Sequence, residues 1–421
     1  MPEIITNDDA LYAYDIVKTI CTKVGPGLPG SAQERKRADI IKKELESHLG
    51  AGNVEVEEFK VAPGAFLGSY PVGAFLILIA IFFNISMNSF AGIAPWITAI
   101  ASLLLSITSI LLIIFEFILY FEIIDPFFKK KKSVNVVGTL RKPETKKVKR
   151  LLILSGHHDS ALELTWLRFL GYGLFFATAT IFIGFITVVL MSILQVVGMA
   201  TANADIVRTG IIGWVLLAYP IVPSFIFAMF FSRGRKNGGV VPGAVDNLSA
   251  SSLSVAMCRF LVENPSYIPD DTEVRFISFG SEEAGLRGSR YYVRRHLLDL
   301  KRMDVWVLNF EMVAHPEIAI LTSDVNRTVK NSPEMVKSVV EAAERAGVPY
   351  TVKPYPLGGG GSDAGSFSEE GFKAATLLPF KIPEQMMAFH HQKWDDYENV
   401  TIEPLLNVLK LAFEWVRNGG E

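Results

Sequence analysis

Val274-Arg275-Phe276-Ile277-Ser278-Phe279-Gly280-Ser281-Glu282-Glu283-Ala284-Gly285-Leu286 runs from an apolar stretch into a glycine–serine break and then two adjacent acids. The opening residues are largely β-branched or aromatic, the composition of a buried strand. Gly280 and Ser281 end the strand, and helix-like sequence follows. Two carboxylates side by side at the end of a buried strand are costly unless a cation compensates them. A metal ion meets that need, so the pair is the entry to the chemistry of the chain.

Other stretches repeat the pattern of a structured element delivering a polar group. Leu151-Leu152-Ile153-Leu154-Ser155-Gly156 leads into His157-His158-Asp159. Residues two apart on an extended chain share a side, so His157 and Asp159 can act together. A neutral imidazole could bind metal while Asp159 holds the ring from behind. Val305-Trp306-Val307-Leu308-Asn309-Phe310 is another apolar strand and ends in Glu311. Pro242-Gly243-Ala244-Val245-Asp246-Asn247 opens a helix containing Leu253, Val255, Ala256 and Phe260. Taken alone, Asp246 there reads as a helix cap. His390-His391 precedes Gln392-Lys393-Trp394-Asp395, so four of the seven histidines fall in two pairs. In a doubly wound sheet such strand and helix ends converge on one crevice. Imidazole and carboxylate ligands without thiolate suit zinc, with manganese or cobalt as substitutes.

The 421 residues are 50% hydrophobic and only 20% charged, with a mean hydropathy of +0.32. That is too apolar for an ordinary soluble protein and too charged for a pure bundle of membrane helices. The net charge of −2 gives no reason to expect nucleic acid as a partner. Two cysteines, Cys21 and Cys258, make no disulfide framework and point to a reducing compartment. Met1-Pro2-Glu3-Ile4 shows no basic region followed by an apolar one, so no cleaved signal peptide is expected.

Along the chain, Ala32 to Leu49 places Ala38, Ile41, Leu45 and Leu49 on one helical stripe, and Val54 to Phe59 alternates like a half-buried strand. An apolar block from Pro71 to Phe128 divides near Asn84 to Pro95, and a second runs from Leu167 to Phe231 around the polar stretch Thr201 to Arg208. Each block holds two runs near the ~20 residues of a membrane span. The expected organisation is 1–65, first part of a soluble α/β domain; 66–128, transmembrane hairpin; 129–165, the domain continued; 166–232, second hairpin; 233–421, the remainder. The competing reading makes these helices the buried core of a soluble protein. Hairpins return the chain to the side it left. Lys129, Lys130, Lys131 and Lys132 follow the first, Arg233, Arg235 and Lys236 follow the second, and the opposite turns hold only Arg208. The positive-inside rule then places the soluble domain in the cytoplasm of a four-helix, multi-pass membrane protein. Glu116 lies inside an apolar run, either as a functional intramembrane acid or at the interface. The second hairpin begins just after Ser160 and ends shortly before Asp246, which would bring a site there close to the bilayer.

Together the motifs resemble the two-zinc exopeptidase family of bacterial leucine aminopeptidases, glutamate carboxypeptidase II and the glutaminyl cyclases. Gly27-Leu28-Pro29-Gly30-Ser31 with Glu34-Arg35 is similar to the family's N-terminal helix entry. Ser155-Gly156-His157-His158-Asp159-Ser160 resembles its first ligand motif, and Gly243-Ala244-Val245-Asp246-Asn247 that of its bridging aspartate. Gly280 to Ser289 is similar to the signature in which the first glutamate is the base and the second a ligand. His391 with Asp395 matches the last ligand and its trailing acid, and His390 stands where a tyrosine is common. Gly361-Ser362-Asp363 resembles a loop near the substrate pocket, with Ala364 in place of the usual histidine. Glu311 stands where most members have aspartate, and the hairpins have no counterpart in soluble members.

The resemblance implies an α/β fold, a mixed sheet with helices on both faces, interrupted by the two hairpins. It implies two zinc ions per chain, one held by His157, Asp246 and Glu311 and the other by Asp246, Glu283 and His391. Glu282 would be general base, with Asp159 and Asp395 supporting the ligands. The expected function is a membrane-anchored aminopeptidase acting on peptides. The alternatives are hydrolysis of acylated amino acids or other amides near the membrane, and a non-catalytic receptor or scaffold on the same fold.

Overall fold

Alternate residues of the run Arg150–His157 enter two different cores, with Leu152 and Leu154 in one and Leu151 and Ile153 in the other. Such a strand lies inside a sheet covered on both faces. The computed structural model describes residues 4–87, 93–207, 210–232 and 239–420. The strands are β1 (Val54–Val61), β2 (Lys131–Arg141), β3 (Arg150–His157), β4 (Thr272–Phe279), β5 (Asp304–Phe310), β6 (Ile318–Leu321), β7 (Ser323–Asp324), β8 (Val329–Lys330), β9 (Tyr350–Lys353) and β10 (Lys373–Leu378). Eight of them form one mixed sheet in the order β1-β2-β4-β3-β5-β10-β6-β9, and β7 pairs with β8. The central strands β4, β3, β5 and β10 are parallel.

Helices Asn7–Lys23, Ala32–Leu49, Ser249–Glu263, Pro333–Ala346 and Ile402–Arg417 cover the face that buries Leu152, Leu154, Phe276, Trp306 and Leu308. On the other face Tyr292, Val293 and Phe367 close over Ile153, Ile277, Phe279 and Val307. Close approach is built into β3. A Cβ on Gly156 would come within 2.5 Å of the Ala250 Cβ, so only glycine lets the helix Ser249–Glu263 lie against the strand end. The register aligns the C-terminal ends of the parallel strands: His157 lies beside Phe279, and Ser155 beside Asn309. These ends form one edge, where ligands bind in open α/β sheets.

The chain divides into two compact units, one comprising Met1–Pro63, Phe128–Glu163 and Gly234–Glu421, the other Gly64–Phe127 and Leu164–Arg233. The sheet and its helices belong to the first. The second holds four helices long and apolar enough to cross a membrane: Ala65–Ser86, Ala94–Ile118, Gly173–Ala200 and Ala204–Ala228. At ~1.5 Å per residue the 22 residues of the shortest reach about 33 Å. The fourth is broken at Tyr219–Pro220, where proline has no N–H for the helical ladder. Polar groups of this unit turn inward. Asn84 Nδ2 donates to Ser102 Oγ at 2.5 Å and Ser192 Oγ at 2.9 Å, and Ser109 Oγ to the Gly73 carbonyl at 2.8 Å. Large apolar groups turn outward, among them Phe75, Phe82, Ile97, Leu104, Phe176 and Ile183. A soluble core would bury these side chains, whereas a bilayer solvates them. Glu116 is buried in the π-helical turn Ile114–Ile118, and its Oε1 accepts from the Ile124 amide at 2.6 Å. It therefore ties that turn to the segment that follows it. The residues Arg208, Arg233, Arg235 and Lys236, used above for orientation, lie outside the described residues.

Candidate metal centre

β4 ends at Phe279, and the chain turns at once. Ser281 has a left-handed backbone (φ 55°), and the amides of Gly285 and Leu286 both donate to the Glu282 carbonyl at 2.8 Å. Glu282 and Glu283 thus lie in a tight turn. The turn points the amides of both residues at one carboxylate. Asp159 Oδ1 accepts from the Glu282 amide and Oδ2 from the Glu283 amide, each at 3.0 Å. The same Oδ1 lies 3.4 Å from His157 Nδ1. Asp159 therefore spans two ligand-bearing loops, a wider role than steadying one ring.

Two further side chains act alike. Asp395 Oδ1 accepts from the Val245 amide at 2.6 Å and Oδ2 from the Asp246 amide at 3.2 Å. Asn247 donates to the Phe310 carbonyl and accepts from the Met312 amide, both at 3.1 Å, so it brackets Glu311. Glu311 Oε2 also faces Asn309 Nδ2 at 3.5 Å, and Ser155 Oγ donates to Asn309 Oδ1 at 2.8 Å. Asp246 does not cap the helix that follows. It sits in the turn Ala244–Leu248 with non-helical angles, after Gly243 in the left-handed region, and the helix starts at Ser249. Its carboxylate is free to face the crevice.

Three imidazoles meet that carboxylate. Asp246 Oδ1 is 3.4 Å from His157 Nε2, and Oδ2 is 3.5 Å from both His390 Nδ1 and His391 Nε2. His157 Nε2 also faces Glu311 Oε1 at 3.5 Å and Glu282 Oε2 at 3.6 Å. His391 Nε2 faces Glu283 Oε1 at 3.3 Å. Ligand atoms of His157, Asp246 and Glu311 lie within 4.8 Å of one another, as do those of Asp246, His390 and His391, and those of His157, Glu282 and Glu283. All sequence-derived candidates thus come together at one edge of the sheet, and His390 joins them. His391 has a left-handed backbone (φ 51°). For a non-glycine residue this costs roughly 1–3 kcal/mol, strain of the kind that gathers at functional sites.

A metal fits these residues. Both ring nitrogens of His157 are buried without a hydrogen bond. Ligands about 2.0–2.2 Å from a tetrahedral ion lie about 3.4 Å apart, and the observed N···O separations run from 3.3 to 3.6 Å. The charges agree. Burial opposes charge on His157, but Glu282, Asp159, Asp246 and Glu311 hold its imidazolium well above the usual range. Burial likewise opposes charge on His391, yet Glu283 and Asp246 raise it to about 10. Burial pushes Glu311 up to about 8 against the pull of His157. Glu282 goes well above the ordinary range, through burial and the neighbouring Glu283, Glu311 and Asp363, against the pull of His157. The crevice without a cation thus retains protons at neutral pH, and metal must displace them. Zinc binding at about pH 7 is expected to release protons from His157, His391 and Glu311. Affinity should rise from about pH 6 to 8 as Glu311, with its value of about 8, ionises. Calorimetry in buffers of different ionisation enthalpy measures this; pH-independent binding without proton release would count against it.

Sequence reasoning missed the supports beneath the crevice. Glu34 Oε1 accepts from Ser133 Oγ at 2.8 Å and Ser281 Oγ at 2.9 Å, and Oε2 from the Gly30 amide at 2.7 Å. Arg37, fully buried, donates to the carbonyls of Gly25, Pro242 and His158. Glu34 shares the helical stripe of Ala38, Ile41 and Leu45, and a charge on an apolar stripe was the available signal. The clamp of Asp159 is testable. Asp159→Asn turns an acceptor into a donor that meets an amide, an expected loss of about 1–3 kcal/mol in urea unfolding. Zinc affinity should fall about 10–100-fold.

Residues 231–416 match the model of Peptidase family M28. Aminopeptidase YwaD of Bacillus subtilis (strain 168) is 34% identical over 168 residues, a stretch covering 39% of this chain and 35% of that protein. The match therefore spans about a third of the relative's length. Among solved structures, BSAP, a zinc aminopeptidase from Bacillus subtilis, superposes with a TM-score of 0.54 at 16% identity, covering 97% of this chain and 95% of that one. The aminopeptidase from Aneurinibacillus sp. strain AM-1 gives 0.52 at 14% identity, with 96% and 92% covered. The Fimbriiglobus ruber glutaminyl cyclase gives 0.51 at 13% identity, with 99% and 96% covered. At these identities the structures speak for the fold alone. The segment 231–416 thus matches the model of Peptidase family M28, and the mixed sheet of the chain shares its fold with the zinc aminopeptidase BSAP.

Proposed function

We propose that the chain is a membrane-anchored, zinc-dependent exopeptidase, an aminopeptidase that hydrolyses the first peptide bond of its substrate. One observation carries this reading: the Asp246 carboxylate divides its two oxygens between His157 on one side and His390 and His391 on the other, ringed by Glu282, Glu283 and Glu311. Asp246 would bridge two zinc ions. His157 and Glu311 would complete one ligand set, and Glu283 and His391 belong to the other; manganese or cobalt could substitute. A bound metal pair supplies positive charge for the scissile carbonyl oxygen and makes a water acidic near neutral pH.

The residues of the chain do the rest. Glu282, held at its backbone by Asp159, takes a proton from the attacking water as hydroxide adds to the carbonyl carbon. It returns that proton to the departing amine nitrogen as the C–N bond breaks. Its burial strengthens both transfers by excluding bulk water. Four long apolar helices with outward aromatic faces support anchorage in a bilayer as a multi-pass protein. The exposed run Lys129–Lys132 supports a cytoplasmic peptidase unit.

A substrate panel tests the reading: free-amine peptides, N-blocked peptides and acyl amides, each with and without chelator. Zinc-restorable cleavage of free-amine peptides is expected. Cleavage confined to blocked peptides or acyl amides would replace the aminopeptidase with an amidase. No hydrolysis in any arm would favour a binding protein.

A further inference from the structure

We propose that His390 ligates the same metal as His391, so that this position takes two imidazoles from consecutive residues. The inference rests on the metallopeptidase reading above and adds a ligand to it. Consecutive side chains normally diverge. Here the left-handed backbone at His391 brings the two rings to a centroid separation of 4.0 Å and an interplanar angle of 30°. Both rings then present a nitrogen to one oxygen. His390 Nδ1 and His391 Nε2 each lie 3.5 Å from Asp246 Oδ2. Ligand atoms of the three residues lie within 4.8 Å of one another.

His390 Nδ1 is buried and makes no hydrogen bond. A distance of 3.5 Å to the carboxylate is too long for a good hydrogen bond, and a buried nitrogen without a partner calls for an explanation. A shared ion supplies the partner without moving the ring. The side chain is 17% exposed against 14% for His391, so the two rings are sheltered alike. With Glu283 Oε1 at 3.3 Å from His391 Nε2, the set becomes two imidazoles and two carboxylates. The site around His157 has one imidazole with Asp246 and Glu311. The two positions therefore differ in softness: the His390–His391 site should select zinc, and the His157 site should tolerate manganese.

The test uses the full chain in detergent and reads metal binding directly. His390→Phe keeps the ring volume without a nitrogen, and His390→Ala removes the ring. Zinc dissociation constants are measured by competition with a chromophoric chelator, and cobalt-substituted protein is read by its visible absorption. Loss of a direct ligand should exceed the 10–100-fold effect of a supporting residue. One of two zinc sites should therefore weaken by more than about 100-fold in both variants, with altered cobalt bands and the other site unchanged. Wild-type affinity at both sites with an unaltered cobalt spectrum overturns the inference, even where activity falls. In that event the metallopeptidase reading stands, because wild-type protein still binds zinc. Wild-type protein that binds no zinc overturns both. If His390→Phe fails to fold, His390→Gln, polar and shorter, is read by the same constants with the same two outcomes.

Discussion

Glu282→Gln is expected to lower kcat by about 10²–10⁴-fold while the metal content stays at that of the wild type. The substitution preserves shape and removes the only change that matters, the ability to accept and return a proton. The turn should survive, because it is held through backbone amides: those of Glu282 and Glu283 on Asp159, and those of Gly285 and Leu286 on the Glu282 carbonyl. The residue faces His157 Nε2 at 3.6 Å, a longer approach than those of Asp246 and Glu311. The set that joins it to His157 and Glu283 is geometrically possible, so metal analysis of the variant separates ligand from base. Steady-state kinetics with elemental analysis decides. Turnover above about a tenth of wild type would remove Glu282 as base, and loss of metal would make it a ligand.

Asp246→Asn should have an effect as large by another route. An amide offers one acceptor oxygen where the carboxylate offers two, and here the two oxygens serve opposite sides of the crevice. One side would face an NH₂ group. The neighbouring imidazolium charges also lose the anion that they hold well below the ordinary carboxylate range against the cost of burial. Supporting residues around metal ligands typically matter by 10–100-fold, so a bridging ligand should exceed about 100-fold in affinity. The expected result after dialysis is at most one zinc per chain and hydrolysis at least about 1,000-fold below wild type. The scaffold should remain, since Val245 and residue 246 still donate their amides to Asp395. Full retention of two zinc ions would show that the bridge lies elsewhere.

Much of the architecture was legible in the chain. The strands β1, β3, β4 and β5 and the helix Ala32–Leu49 follow from period and composition. The four apolar helices follow from length. The ligand candidates announced themselves as acids and histidines at the ends of apolar runs, where burial makes them costly unless they are used. Some local geometry was not legible. The Glu282–Glu283 pair read as a strand end followed by helix-like sequence, but Ser281 in the left-handed region makes it a turn. Asp246 suggested a cap, but Gly243 and the turn Ala244–Leu248 displace it into the crevice. Glu34 and Arg37 carry charge on the helix Ala32–Leu49 yet both are buried, because their partners come from elsewhere in the chain.

The dividing line is the range of the interaction. Hydrophobic period and strand ends depend on neighbours within one element, so sequence alone determined the strands β1, β3, β4 and β5, the apolar helices and the candidate chemistry-bearing residues. The clamps join residues far apart in the chain. Asp159 and Glu282 are separated by 123 positions, and Asp395 and Val245 by 150. Only the aligned ends of β3, β4 and β5 bring such groups within hydrogen-bond reach. The tertiary structure therefore decided how Asp246 divides its oxygens, which amides Asp159 and Asp395 hold, and that His390 faces the same carboxylate as His391. A carboxylate can satisfy any donor that comes near, and which donor comes near is a property of the folded sheet.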